Sequence, residues 1–376
     1  MKVVFCISYY PEYLKAFYTK NPHLRSASYT AQHEALVNDF YGVWGPYTHY
    51  FNAMGHRAEL IIPNNRHLQE AWAKEHGVKI TRDWPFSIAL EQVKKIKPDI
   101  FFIGSMFEYF GSFLDEIKKT VPHVFGWIAC YIPPGTNIKQ LDLILTSVPA
   151  FVDDFRTKGV NSELLSAAFD ARVLTHIEPS LKQDIDFSFI GSFTSAHSKR
   201  ISIIKELAER TPLTIFGTGI NKIPDERNLL RKLSSKSLIQ QRYGGETWGL
   251  EMFRTLHRSR ITFNSHIDIS GNFAGNMRMF EATGAGTLLL TDGIHSSKKL
   301  FTDDEVVYYS SLDDAVEKVN YFLDHEDERK LIAEKGQLKT LSYYNFENTS
   351  RAMHDYFIRY MPGTVPVKNN FSQETA

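Results

Sequence analysis

The residues best suited to chemistry lie in one stretch of the second half of the chain. Asn276, Arg278 and Glu281 occupy the start of a short, otherwise apolar helical pattern that runs through a Gly-rich turn into the strand pattern Thr287–Thr291. An arginine there can clamp phosphate oxygens through its planar donors, and a helix N-terminus favours the same anion. Glu281, one turn further on, can accept hydrogen bonds from two neighbouring hydroxyls such as those of a ribose. An N-terminal cap with an Arg278–Glu281 ion pair, worth about 0.2–0.5 kcal/mol, fits the same spacing, and both interpretations stay open.

Two glycines follow predicted strands and belong to the same kind of site. Gly191 ends the pattern Phe187–Gly191, where a glycine lets backbone approach a phosphate that Arg200 could neutralise. Gly217 follows the pattern Leu213–Phe216 in a Gly-x-Gly that lacks the remaining spacing of a dinucleotide fingerprint. We predict that Gly217 forms a wall of a nucleobase pocket. For both glycines, an ordinary turn between strand and helix is the alternative.

Acid–base candidates are fewer and stand further apart. His266 and Asp268 follow the strand pattern Ile261–Asn264, so they are predicted to project into a cleft, where they could orient a sugar or relay a proton. His49, on a helical pattern interrupted at Gly45-Pro46, is a further candidate general base. A loop or surface histidine without catalytic function is the alternative in each case.

Composition and missing motifs narrow the function classes. The chain has 376 residues, with 43 basic and 43 acidic side chains, so no excess charge points to nucleic acid as a partner. It contains no Walker sequence, no His-Glu-x-x-His, no Cys-x-x-Cys and no Gly-x-Ser-x-Gly. No apolar run is long enough for a membrane span. Two cysteines in apolar stretches, without an export signal, lead us to expect a cytoplasmic protein.

The pattern of elements predicts where these residues are held. Short apolar runs alternate with amphipathic stretches almost from end to end, which predicts the α/β class with parallel, doubly wound sheets. This alternation of strand and helix patterns is interrupted after about Phe169 and resumes at Phe187. We therefore predict one Rossmann-like domain over 1–170, a second over 183–345, and a helix with a disordered tail over 346–376. In such sheets ligands bind at the carboxyl ends of the strands, which is where the candidate residues fall.

Several stretches together resemble the CgeB-like, or spore-maturation-type, glycosyltransferases. They are Leu68 to Gly77, Gly245 to Met252, Ser259 to Asp268 and Asn276 to Asp292, in this order and spacing, and the resemblance runs from about Ala58 to Tyr344. It implies the GT-B fold, with two facing Rossmann-like domains, the donor nucleotide on the second, the acceptor mainly on the first, and no obligatory metal or cofactor. It assigns Glu281 to the donor ribose, and Arg278 and Asn276 to the diphosphate.

One departure from the pattern concerns the reaction's stereochemistry. Many retaining GT-B enzymes carry another glutamate seven or eight positions before this one, but here those positions are Ala274 and Phe273. The expected function is transfer of a sugar from a nucleoside-diphosphate sugar to a hydroxyl of a glycan or small molecule. A non-catalytic protein that binds nucleotide sugars and a nicotinamide-dependent oxidoreductase are the alternatives.

Overall fold

The computed structural model describes residues 1–193, 198–220, 238–266, 275–293 and 300–361. These form two parallel six-stranded sheets with helices on both faces. The predicted disordered tail, Asp268, Phe273 and Ala274 lie outside the described residues. Within the described ranges, every helix is too short or too polar to cross a lipid bilayer.

The first sheet is built from the first six strands in the order β2-β1-β3-β4-β5-β6, all parallel. Side chains of β1 alternate between two cores: Val3 and Phe5 pack on one face, and Val4 and Cys6 on the other. Both faces are therefore covered, as the two-sided apolar patterns predict. The strands are β1 Lys2–Cys6, β2 Arg57–Ile61, β3 Ile100–Ile103, β4 His123–Trp127, β5 Leu143–Thr146 and β6 Ser162–Leu164.

Helices connect these strands on both sides. The sequence patterns predict most of these helices correctly. The helical pattern over Gln32–Met54, for which a break at Gly45-Pro46 is predicted, forms two helices that are separated by residues 39–43 instead. Pro46 lies in the first turn of the second helix, where proline costs no intrahelical hydrogen bond. The helices of this half are Pro11–Lys20, Tyr29–Asn38, Trp44–Ala53, Arg66–Glu75, Trp84–Ile96, Ser112–Lys118 and Pro149–Thr157.

The second sheet has the order β12-β11-β10-β7-β8-β9, again all parallel. Counted from its own first strand this is the 3-2-1-4-5-6 arrangement of dinucleotide-binding folds, which reverses direction between β7 and β10. Its strands are β7 Ile185–Ile190, β8 Leu213–Phe216, β9 Tyr243–Gly245, β10 Ser259–Asn264, β11 Leu288–Asp292 and β12 Val307–Tyr309. Its helices are Ser198–Arg210, Leu238–Gln241, Gly249–Arg258, Met277–Gly284, Leu312–Asp324 and Glu326–Tyr343.

The chain crosses between the two halves twice, and the crossings lie side by side. The N–H of Phe169 donates to the Tyr344 carbonyl at 2.8 Å, and the N–H of Phe346 donates to the Phe169 carbonyl at 3.1 Å. The last helix, Phe346–Tyr360, then returns to the first domain, where Phe357 packs against the first sheet. The segment 346–361 therefore completes the core of the first domain.

Candidate active site

A cleft of about 550 Å³ lies between the two domains at the carboxyl ends of their strands. The second domain contributes the ends of β7 and β10, the two strands between which the sheet reverses direction, and the start of the helix Met277–Gly284. The first domain contributes residues that follow β1, β4 and β5, namely Tyr10, Ala129, Ser147 and Val148. This is the position at which doubly wound sheets bind ligands.

The helix Met277–Gly284 begins inside the cleft without a side-chain cap. Asn276 precedes it with extended backbone, and its side chain makes no hydrogen bond to the first turn. The N–H of Met279 donates to the Asn276 carbonyl at 3.1 Å, so that amide is used. The amides of Met277 and Arg278 precede it in the first turn, where a helix leaves its N–H groups unpaired. An anion in the cleft would find these donors and the positive end of the helix dipole together.

Arg278 and Glu281 form the intrahelical pair that their spacing allows, and the pair also lines the cleft. Nη1 of Arg278 lies 2.9 Å from Oε2 of Glu281, with only 16% and 15% of the two side chains exposed. Both terminal nitrogens of Arg278 lie 3.5 Å from the sulfur of Met252, which supports the guanidinium from the neighbouring helix. Nε of Arg278 is buried without a partner in the described structure. Of the structural interpretation, the ion pair is present and the side-chain cap is not, and the ion pair orients both side chains along the cleft wall. The roles of Arg278 at a phosphate and of Glu281 at a ribose stay predictions.

Arg200 supplies a second guanidinium from the helix Ser198–Arg210. Its Nη2 donates to the Ser192 carbonyl at 2.9 Å, and its charge lies 5.6 Å from the centre of the Phe189 ring. Within the described ranges it has no carboxylate partner, and burial lowers its pKa to about 10. Arg200 therefore remains a cation at neutral pH, with a charge that an anionic ligand could balance.

Gly191 lines the cleft, whereas Gly217 supports it from behind. The N–H of Gly191 donates to the Phe216 carbonyl at 3.0 Å, and that of Phe193 donates to the Thr218 carbonyl at 2.9 Å. Of the three consecutive amides 191–193, only that of Ser192 is therefore left for a ligand. Gly217 has φ of +127°, and a Cβ on it would lie 1.8 Å from the Gly191 carbonyl oxygen. Gly217 is not among the residues that line the cleft, and its role at a nucleobase stays a prediction.

His266 lies in the cleft wall with a partner that its sequence neighbours do not reveal. Its Nδ1 is 2.5 Å from Oδ1 of Asp292, and its backbone N–H donates to Oδ2 of the same carboxylate at 2.9 Å. Nε2 accepts from the N–H of Gly275 at 3.3 Å. The carboxylate accepts only, so Nδ1 carries the proton, and Nε2 is engaged by the loop that leads into the helix Met277–Gly284. In this arrangement His266 orients backbone, and its catalytic role stays a prediction.

The structure does not bring His49 to the cleft. His49 is exposed on the helix Trp44–Ala53, beside the ring of Tyr50 and close enough to Asp170 and Arg172 to sense their charges. The predicted break at Gly45-Pro46 would have turned this segment, but the helix runs through it and leaves His49 on the outer side. Asp268, the other acid–base candidate, lies outside the described residues.

The structure adds residues that sequence reasoning missed. Asn264, the last residue of β10, and Tyr10, which follows β1 with 64% of its surface exposed, line the cleft. Asp292 directly follows the strand pattern Thr287–Thr291, is the last residue of β11 and bonds to His266. The rule that directed attention to His266, a polar residue directly after a parallel strand, applies equally to Asp292. Met252 carries no such signal, because its role depends on how two helices pack.

Two acidic residues at the start of β7 have structural partners. Asp184 and Asp186 at the start of β7 pair with Arg258 at 2.8 Å and Arg260 at 2.9 Å on the surface. Across the part of the chain that the structure describes, no three His, Cys, Asp or Glu side chains are grouped so that they could hold a metal ion.

Part of the second half of the chain matches a known protein family. Residues 200–355 match the family model described as Glycosyl transferase-like. This range contains Arg200, His266, Asn276, Arg278 and Glu281. Among proteins of curated function, none matches the chain in sequence.

Solved structures share the whole architecture. A glycosyltransferase from Rickettsia africae has a TM-score of 0.57 at 11% identity, covering 96% of this chain and 99% of its own. A sucrose-phosphate synthase from Thermosynechococcus elongatus has a TM-score of 0.55 at 9% identity, covering 96% and 99%. Anabaena HepE, solved in complex with UDP-glucose, has a TM-score of 0.55 at 9% identity, covering 95% and 99%.

At such identities the structural similarity shows the fold, which is the GT-B arrangement of two facing Rossmann-like domains. The family match and the fold together support a glycosyltransferase.

Proposed function

We propose that this protein transfers a sugar from a nucleoside-diphosphate sugar to a hydroxyl of a glycan or small-molecule acceptor, without a metal ion. We further propose that it belongs to the CgeB-like branch of the glycosyltransferases and acts in the cytoplasm. HepE, a structural neighbour, was solved with UDP-glucose, which makes a uridine donor the first to test.

The observation that carries this proposal is the uncapped start of the helix Met277–Gly284 in a cleft that Arg278 and Arg200 also line. Two guanidinium groups and the positive end of a helix dipole thus face the same cleft, and the Glu281 carboxylate balances one of the two cations. A diphosphate is a ligand whose charge and oxygen geometry match such a group. In this proposal Glu281 accepts hydrogen bonds from the ribose.

The same groups serve the reaction. The acceptor oxygen forms a bond to the anomeric carbon while the bond from that carbon to the diphosphate oxygen breaks, and the proton of the acceptor hydroxyl passes to the leaving diphosphate or to water. Negative charge grows on the leaving diphosphate, so fixed cations and amides that bind it more strongly at that stage lower the barrier. The acceptor approaches from the first domain, where Tyr10, Ser147 and Val148 line the opposite wall.

Thermal unfolding with ligands tests the donor site. We expect one of the nucleoside diphosphates UDP, GDP, ADP or dTDP to stabilise the protein, by roughly 2.7 kcal/mol at about 100 times its dissociation constant. Glu281→Ala and Arg278→Ala should lose most of that shift. Glu347→Ala and Arg351→Ala, which break a similar but exposed pair on the last helix, should keep it. Stabilisation by NAD alone would point to an oxidoreductase instead.

A transfer assay with the selected donor tests the chemistry. Wild-type protein should release the nucleoside diphosphate in the presence of an acceptor, and Glu281→Ala and Arg278→Ala should each remove most of that activity while remaining folded. Near-wild-type transfer by both variants would refute the assignment. Donor binding without transfer or hydrolysis over a broad acceptor panel would favour a non-catalytic nucleotide-sugar-binding protein.

A further inference from the structure

Asn276 precedes the helix Met277–Gly284 at its cap position, but its side chain bonds to Asn264 and not to the helix. Its Nδ2 donates to Oδ1 of Asn264 at 2.8 Å, and its Oδ1 is buried without a partner in the described structure. An amide oxygen that is shielded from water and unpaired costs free energy, so it is rarely kept without reason. Because Asn276 lines the cleft, a ligand is the natural source of the missing donor.

The direction of the Asn276 amide is fixed by a row of hydrogen bonds that begins at a carboxylate. Asp292 can only accept, so the Thr291 hydroxyl, 3.2 Å from its Oδ1, donates to it. The Thr291 oxygen then accepts from Nδ2 of Asn264 at 3.0 Å, which leaves Oδ1 of Asn264 to accept from Asn276. Each step determines the next, and the row ends with Oδ1 of Asn276 as the group offered to a ligand.

This polarity excludes one ligand group and favours another. Phosphate oxygens accept hydrogen bonds, so they gain nothing from a second acceptor, and Oδ1 of Asn276 repels them. A hydroxyl donates a hydrogen bond and fits. The side chain of Asn276 is thus unsuited to the diphosphate role that its sequence position suggested, although the amides that follow it keep that role.

We propose that Asn276 determines donor specificity, with its Oδ1 accepting a hydrogen bond from a hydroxyl of the transferred sugar. The proposal rests on the proposed function and adds the subsite of the sugar. Along the helix, Glu281 lies one turn inward, the amides of Met277 and Arg278 lie in the first turn, and Asn276 lies just before them. A nucleotide sugar with its ribose at Glu281 and its diphosphate at the amides carries its sugar toward Asn276. Asn264 and Thr291 are positioning residues that act through Asn276.

The test compares a nucleoside diphosphate with its glucose conjugate. Wild type, Asn276→Ala and Asn161→Ala are titrated calorimetrically with UDP, GDP, ADP and dTDP and with the four corresponding glucose conjugates. Asn161 is an exposed asparagine at the far edge of the first sheet and serves as the matched control. We expect Asn276→Ala to bind the sugar nucleotide about tenfold more weakly and the free nucleotide unchanged. Thr291→Val should also weaken binding of the sugar nucleotide and not of the free nucleotide, but by a smaller factor.

A second measurement uses the wild-type protein alone. Glucose conjugates that lack one sugar hydroxyl at a time are titrated, and we expect one of them to bind about tenfold more weakly than the parent. Asn276→Ala should not discriminate between that analogue and the parent, because the group that distinguishes them is gone.

The outcomes separate the two proposals. If Asn276→Ala loses affinity equally for the nucleotide and the sugar nucleotide, or loses none for either, the specificity role of Asn276 is overturned. The proposed donor function is not affected by that result. Equal binding of all deoxy analogues by wild type overturns it as well. Failure of wild type to bind any of the eight ligands contradicts the proposed function itself.

Discussion

Asp39 belongs to the first domain but serves an element of the second. It follows the helix Tyr29–Asn38, accepts from the Tyr13 hydroxyl at 2.9 Å, and receives the N–H of Leu250 at the start of the helix Gly249–Arg258. Gly249 has φ of +53°, and a Cβ on it would lie 2.2 Å from the Asp39 carboxylate. One carboxylate thus joins the two domains at the N-terminus of a helix, where negative charge is favoured.

The protonation of Asp39 should make stability depend on pH. Burial raises the pKa of Asp39 from 3.8 to about 6, with Glu251 adding to it, while the Tyr13 hydroxyl, Lys20 and the Leu250 amide act against it. The folded protein therefore holds this proton more tightly than the unfolded chain. The contribution is complete below about pH 3.8 and is lost as pH rises through about 6.

We expect wild type to gain about 1 kcal/mol of unfolding free energy relative to Asp39→Asn between pH 7 and pH 5. Urea unfolding of the two proteins at pH 7, 6 and 5 measures the difference, in which the other titrating groups cancel. A constant difference across this range would show that Asp39 titrates at its ordinary pKa.

At the same scale, the sequence predicts residues that the structure brings to the cleft, but not all of their partners. Asn276, Arg278 and Glu281 were found because polar side chains at the start of an apolar helix stand out. The structure pairs His266 with Asp292, which is near because β10 and β11 are neighbouring strands. Asp268, the residue that the sequence suggests beside His266, lies outside the described residues. Strand neighbours are set by tertiary packing, so a pair formed across strands leaves no mark in local spacing.

At the scale of elements, the backbone of the turn after β8 packs closely against the backbone at the end of β7. Gly217 approaches the Gly191 carbonyl directly, and Gly219 approaches that of Phe193. Because Gly191 lines the cleft, the position of the β7 end depends on this contact. The sequence marks Gly217 but does not show this backbone contact, since a glycine that accommodates backbone and one that accommodates a ligand have the same sequence pattern.

Two glycine substitutions distinguish the cost of a strained backbone from the cost of a steric clash with the Gly191 carbonyl. Gly245 also has a positive φ, +108°, but open space where a Cβ would lie. We expect Gly245→Ala to cost about 1–3 kcal/mol through strained backbone alone. Gly217→Ala should cost more and should weaken nucleotide binding, because the Gly191 carbonyl must move. Urea unfolding and calorimetric titration measure both effects, and equal losses in the two variants would contradict the collision.

Two elements of the fold could not be predicted from the sequence. The strand β9 escaped detection because Tyr243-Gly244-Gly245 has neither alternation nor an apolar run. The helix Pro11–Lys20 also went unrecognised, since its buried residues Tyr13, Phe17 and Tyr18 are aromatics with polar neighbours. Short or weakly patterned segments take their structure from the sheet they join, which is a property of the whole fold.

For the molecule as a whole, the two domains are not two separate stretches of chain. Phe357, fully buried on the last helix, packs against Phe51, Phe102 and Phe125 of the first domain. The hydroxyl of Tyr360 donates to Glu163 at 2.7 Å beside the edge strand β6. The first core therefore contains residues from both ends of the described chain.

Removal of one of these side chains should destabilise the distant half of the chain. Phe357→Ala deletes a fully buried aromatic, and we expect a loss of about 3–5 kcal/mol in the unfolding of the first domain. Tyr343→Ala, at a position 64% exposed, is the control and should change little. Hydrogen exchange shows which half is affected: faster exchange in β1, β3 and β4 would support the assignment, and faster exchange confined to the last helix would oppose it.

The return of the last helix has a consequence for how the protein is made. Residues 185–343 form the second domain from one uninterrupted stretch, so this domain can close as soon as that stretch leaves the ribosome. The first domain, although translated earlier, lacks Phe346, Met353 and Phe357 from its core until the helix emerges. The half that is synthesised first is therefore the half that folds to completion last, and until then its sheet exposes an apolar face.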